Sequence, residues 1–169
     1  MSFSISNNVY ANYMAPAFVG MKEDSMDDNV DTFASSDPAL GVTIGVAVQR
    51  TGAGAMTIKN GASATLGVGV ALHDHIYGYL GQYPDKTAVS VLTRGRCWAA
   101  VDSGTGINDG VACKADATTG KFNTTGVAVT NAVFRSQAIS LLNADGVTTT
   151  LAAVVELHSP WIDSIGASV

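Results

Sequence analysis

The sequence reads as an all-β protein: a compact barrel or sandwich of short antiparallel strands behind an extended N-terminal arm. Three features point there. Val42, Ile44, Val46 and Val48 alternate with Thr43, Gly45, Ala47 and Gln49, the period of two that a strand imposes on its side chains. Short apolar runs recur between glycine-bearing turns, with little helical periodicity between them. Residues 87–101 are apolar on both faces, so they must be covered on both sides, by the chain's own layers or by another subunit. At 169 residues one domain is expected, drawn at 41–169, with the arm at 1–40.

The arm has two parts. Residues 1–21 mix Phe3, Ile5, Val9, Tyr10, Tyr13, Met14, Phe18, Val19 and Met21 with Asn and Ser, without a clear helical or strand period. That pattern suggests a segment that folds onto something else, a neighbouring subunit or a larger surface, since a purely solvated tail needs no aromatics. Residues 22–40 are acidic: Glu23, Asp24, Asp27, Asp28, Asp31 and Asp37 stand against Lys22 alone. Residues 41–169 carry eight acids and eight bases, so the whole formal charge of −5 lies in the arm. No basic stripe is present to release counterions from phosphate, which disfavours nucleic-acid binding. An acidic segment seeks basic groups or backbone amides on a protein instead.

After the alternating run at 42–49, residues 51–55 form a glycine-rich turn and 55–59 a short partner strand, with Asn60-Gly61 opening the next turn. In the strand at 66–73, Val68, Val70 and Leu72 make one bulky face, and Gly67, Gly69 and Ala71 a bare one. A bare face marks close approach of another backbone. Residues 87–93 and 96–101 then flank Arg94-Gly95. If those two form a hairpin loop, Val91 faces Trp98 and Leu92 faces Cys97, apolar pairs on opposite faces. Further strands are expected at 111–115, 121–122, 126–130 and 132–142, although 137–142 also suits a helical turn. Asp145-Gly146 signals a hairpin into a final strand at 148–158.

Candidates for chemistry are few. His73 and His75 would lie on one face of a strand roughly 7 Å apart, and could seat one metal if further ligands arrived; His158 is the remaining histidine, with Glu156 and Asp163 near it in sequence. Zinc needs about four ligands, or three and a water, so these histidines read as structural or interface residues, and neither a metal nor a cofactor is expected. No G-x-S-x-G elbow accompanies Asp74 and His75. Cys97 and Cys113 are too few for a disulfide framework and read as reduced, packed thiols. Gly52-Ala-Gly54 lacks the setting of a dinucleotide loop and reads as a turn. Asn123-Thr124-Thr125 reads as a polar loop. No apolar run approaches the 18 or so residues of a membrane span, and the first residues lack the pattern of a secretion signal. Only 14% of residues are charged, against about 25% in globular proteins generally. Such a surface suits a protein that lives in contact with neighbours.

The order of blocks carries a resemblance. L-H-D-H at Leu72 to His75 precedes A-V-S-V-L-T-R-G-R-C-W-A-A-V at Ala88 to Val101. A turn at Asn108-Asp109-Gly110 follows, then D-A-T-T-G-K-F at Asp116 to Phe122 and A-V-V-E-L at Ala153 to Leu157. Over residues 60–158 this resembles the structural cement, or decoration, proteins of tailed-phage heads, in which a similar A-V-S-V-L-T-R-G-R-V-W-V block occurs. Cys97 stands where that family usually has a β-branched residue.

The resemblance implies a non-enzymatic virion protein, assembled in a bacterial cytoplasm. It would lie on the capsid exterior and bridge neighbouring major capsid protein subunits as a homo-oligomer, most simply a trimer. Contact residues expected on that reading are Phe3, Ile5, Val9, Tyr10, Tyr13, Phe18, Arg94, Arg96 and Trp161. Two other classes compete: a receptor- or glycan-binding virion module, with Tyr77, Tyr79, Tyr83 and Trp161 as a stacking platform, and a metal enzyme using His73, His75 and His158.

Overall fold

The computed structural model describes residues 17–24, 28–38, 41–142 and 148–158. Among them are twelve strands and one short 3-10 turn, Gly78–Leu80, so the fold is all-β. The first seven strands are β1 (Asn29–Ser35), β2 (Val42–Thr43), β3 (Ala47–Arg50), β4 (Thr57–Asn60), β5 (Gly67–Ala71), β6 (Gln82–Tyr83) and β7 (Ala88–Ala100). The rest are β8 (Ala112–Ala115), β9 (Phe122–Asn123), β10 (Val127–Phe134), β11 (Ile139–Leu142) and β12 (Thr149–His158).

Five strands close a barrel in the order β1-β4-β3-β5-β7, with β7 pairing back to β1. The β1–β4 pairing is parallel and the others in the ring are antiparallel. β1 comes from the acidic segment, so the sheet reaches back into the stretch expected as the arm. Phe33, Val42, Ile44, Val48, Ile58, Ala71, Tyr83, Val89 and Val91 make one of the buried clusters. The sheet continues from β7 through β12, β10 and β8 to β9. There Phe122 bridges to Val101, and the Asp102 N–H donates to the Phe122 carbonyl at 2.9 Å, so this half also curls back to β7. It surrounds a second, larger cluster that includes Leu92, Cys97, Cys113, Phe122, Phe134, Val155 and Leu157.

The expected hairpin at Arg94-Gly95 is not there: β7 runs unbroken through both residues. Arg94 pairs with Asn29 on one side and with His158 on the other. The hairpin reading did capture one true feature, that Leu92 and Cys97 share a cluster although they stand five positions apart. A regular strand would point them to opposite faces. A bulge produces the switch: Asn29 opposes Arg94 while Val30 opposes Leu92, leaving an extra residue on β7. Gly95 follows at φ 117°, a conformation that side chains disfavour.

Two other alternations break for similar reasons. The run at 42–49 splits into β2 and β3 around Gly45, at φ 77°. Val42, Ile44 and Val48 then face the barrel cluster, while Val46 turns to a third cluster. In β5 the register with β3 shifts between Val48 and Gln49, so Val68 leaves the face it was expected to share with Val70. The bare face behaves as its composition suggests: a Cβ on Gly69 would lie 2.0 Å from the Leu92 carbonyl oxygen. Residues 137–142 hold β11, a strand and no helical turn. Asn131, at φ 56°, marks a register shift in β10 where the sequence suggested two separate strands. The Asp145-Gly146 turn lies outside the described residues, but β11 and β12 on either side of it pair antiparallel.

Residues 17–24 form a strap along β7. The Gly20 N–H donates to the Trp98 carbonyl at 2.6 Å, the Trp98 N–H to Met21 at 2.9 Å, and the Glu23 N–H to Arg96 at 3.0 Å. Ala17 and Val19 pack with Val46, Ala100, Leu141 and Ala152, against which Trp98 lies half-buried. Charge ties the strap down as well. Lys22 bonds Asp28, and Arg96 reaches Glu23 at 3.7 Å and Asp24 at 3.9 Å. Arg96 also meets Glu156 on β12 at 2.9 Å, and Glu156 takes Arg135 at 2.5 Å and His158 at 2.6 Å. Arg135, then Arg96, holds the Glu156 carboxyl down to about 2, against the burial that would raise it.

Two measurements test this account. Gly69→Ala forces a side-chain carbon onto backbone inside a closed ring and is expected to destabilise by about 3 kcal/mol, read by urea unfolding. For Glu156, the folded value lies below the ordinary 4.5, so its contribution is present above that pH and is lost as pH falls towards 2. Glu156→Gln is expected to cost about 1–2 kcal/mol at pH 7, a figure discounted for the half-exposed guanidiniums. The difference from the parent should vanish near pH 2; a gap that persists there assigns the effect to packing.

Candidate interaction surface

β5 ends at Ala71, and the chain then makes a loop at 73–81 that lies against the strap. The His73 N–H donates to the Gly20 carbonyl at 2.8 Å. Asp74 shapes the turn: its Oδ1 accepts the Ile76 N–H at 2.6 Å, and its carbonyl accepts the Gly78 N–H at 2.7 Å. The Tyr83 hydroxyl, buried at the foot of the loop, donates to the Leu72 carbonyl at 2.7 Å. Burial pushes the Tyr83 phenol up to about 12.

This scaffold leaves apolar side chains in solvent. Ile76 is 69% exposed and Tyr79 67%, and Phe18, Met21 and Leu80 are each more than two-fifths exposed. Phe18, Met21 and Tyr79 line one depression with His73 and His75. Leu80 adjoins it, beside Phe18 and Tyr79. Apolar groups gathered this way mark a surface meant to be covered.

Of the expected contact residues, Phe18 is on this surface. Phe3, Ile5, Val9, Tyr10, Tyr13 and Trp161 lie outside the described residues. Arg94 and Arg96 sit in the middle of β7 instead of at a hairpin tip, beside a separate depression lined by Asp24, Glu156 and His158. Arg96 is occupied by the chain's own acids. Met21 is among the apolar residues of the arm but was not expected as a contact; Ile76 and Leu80 were not anticipated from the sequence. Their signal was the run Ile76 to Leu80, bulky residues in a link that otherwise reads as polar.

Among the described residues the competing sites do not assemble. Tyr83 is 1% exposed and packs on a half-buried Tyr77 with ring centroids 5.5 Å apart, so of the three tyrosines Tyr79 alone is fully on the surface. His73 and His75 lie in the loop beyond β5, with rings edge to face at 5.7 Å. His158 is instead at the end of β12, bonded to Glu156. Among the described residues no group of three His, Cys, Asp or Glu side chains is placed to hold a metal. Cys97 and Cys113 are free and buried in one cluster, and burial pushes the Cys97 thiol up to about 12 and Cys113 higher still. Such thiols are inert packing groups. The Asp116 turn is ordered by its own carboxylate, which accepts the N–H groups of Thr118 and Thr119 at 2.9 and 2.7 Å.

Comparison with known proteins agrees with this architecture. A chain in the solved structure of the capsid of Myoviridae phage XM1 superposes with a TM-score of 0.67 at 20% identity, covering 95% of this chain and 99% of that one. The likeness is one of fold. No curated protein matches the sequence. The family described as structural cement protein (E217 gp24/Pam3 gp6) matches residues 5–156, taking in most of the N-terminal segment and the blocks from residue 60 to Glu156. By that match, the chain belongs to the structural cement protein family of phages.

Proposed function

We propose that this chain is a non-enzymatic decoration protein that binds the outer face of an assembled phage head and bridges neighbouring major capsid protein subunits, as a homo-oligomer and most simply a trimer. Family membership carries the reading. The exposed apolar surface on the strap and loop supports it, because a free monomer gains nothing from leaving Ile76 and Tyr79 in water. The mechanism is linkage. A protein that binds the assembled shell and not its dissociated subunits stabilises the shell in proportion to the logarithm of its free concentration over its Kd. Repetition on a symmetric lattice adds avidity without new kinds of contact. Phe18, with Phe3, Ile5, Val9, Tyr10 and Tyr13 ahead of it, would extend each contact along the shell, and Arg94, Arg96 and Trp161 would add to it. The barrel serves as the rigid body.

Co-sedimentation with shells that lack the protein tests the reading. The full chain is expected to pellet with shells. A version beginning at Ala17 keeps β1 and the strap, and so the folded barrel, and is expected to bind at least about tenfold more weakly. Truncation at residue 41 would remove a barrel stave and is uninformative. The pair Ile76→Ser and Tyr79→Ser should weaken binding by about 10–100-fold with the unfolding midpoint unchanged. Failure of the full chain to pellet rejects shell binding itself. Equal binding by the version beginning at Ala17 rejects the contribution of the first sixteen residues.

A further inference from the structure

His73 sits where the strap and the 73–81 loop meet. Its ring stacks on Phe18 of the strap with centroids 5.9 Å apart and planes 23° apart. The His75 ring meets it edge-on at 5.7 Å. Gly78 closes the other side so tightly that a Cβ there would lie 2.4 Å from His73 Nε2. Nε2 is buried, and among the described residues no hydrogen-bond partner reaches it. A neutral imidazole accepts that position at modest cost. An imidazolium does not, because both ring N–H groups then need acceptors or water.

We propose that His73 is a proton-sensitive latch: neutral, it holds the strap against the loop; protonated, it lets the two part and dismantles the surface formed by Phe18, Met21 and Tyr79. The surrounding charges favour this direction. Asp74 and His75 act on His73 from its own loop, Tyr79 of the 3-10 turn and Lys22 of the strap line the same depression, and Lys121, just before β9, lines the adjoining one. Among the described residues Asp74 favours the cation, and its Oδ1 already accepts the Ile76 N–H. Lys22 bonds Asp28, while His75 opposes a second positive charge. Burial first, and His75 second, hold His73 below its ordinary 6.5, with Asp74 opposing. The parted form therefore takes up a proton at the ordinary value and the latched form only at lower pH. Latching is at full strength above pH 6.5 and weakens as pH falls below it, by at most about tenfold per pH unit for one proton.

Trp98 reports on the strap directly, since its carbonyl and N–H bond Gly20 and Met21 and it packs with Ala17 and Val19. In a Trp161→Phe background it is the one remaining indole. Its fluorescence, with intrinsic-rate-corrected amide exchange at Gly20 and Trp98, is followed from pH 8 to pH 5. A transition at or below pH 6.5 is expected, with exchange at both amides at least about tenfold faster on the acid side. His73→Gln should abolish the transition, His75→Gln should keep it and move it to higher pH, and His158→Gln should leave it unchanged. A flat parent profile overturns the latch. So does a transition that survives His73→Gln or disappears with His158→Gln. None of these readouts involves shells, so the result stands apart from the decoration reading.

Discussion

The fold depends on keeping β7 satisfied along both edges and both faces. Its thirteen residues pass through two different neighbourhoods. The first half is a stave of the closed barrel, held between β1 and β5. The second half is held between the strap and β12. One face of the second half lies on the large cluster through Cys97 and Ala99, and the other on the small cluster through Ala100 and Trp98. A long strand left open on any side would expose backbone donors or apolar side chains. The bulge beside Arg94 and the positive φ of Gly95 let one strand serve both halves, by exchanging its inward and outward residues midway.

That exchange also explains where the sequence was legible and where it was not. Strands with a single environment announce themselves: β8, β9 and β12 lie within a residue or two of where their apolar patterns end. The block around Arg94-Gly95 carries a true change of phase, and a hairpin turn and a bulge leave the same phase change in a one-dimensional pattern. What separates them is the partner. Asn29 and His158 are both remote in sequence from Arg94, and an apolar pattern does not reveal which remote strand fills an edge. Gly69 is the opposite case. Its lack of a side chain implied close backbone approach without naming the neighbour, and the Leu92 carbonyl proved to be it.

The candidate surface was only half legible for a related reason. The chemistry of Phe18 was evident from its setting among aromatics, but exposure is a property of packing. Tyr77, Tyr79 and Tyr83 look alike in sequence, yet one is on the surface and one is sealed behind the Leu72 carbonyl. Likewise His73 and His75 read as a possible pair of ligands. Their place where strap and loop meet makes them packing groups between two stretches of chain instead.

The closed ring has a further consequence for how the molecule is made. β1 is the first stave to leave the ribosome, yet both strands that flank it, β4 and β7, are synthesised later; Asn29 and its partner Thr93 are 64 residues apart. Until β7 emerges, the early stave has only β4 to pair with and the ring stays open. Barrels completed by such distant pairing assemble slowly. The covalent link keeps the chain's own stave at high effective concentration beside the open ring, which favours closure within one copy over exchange between copies.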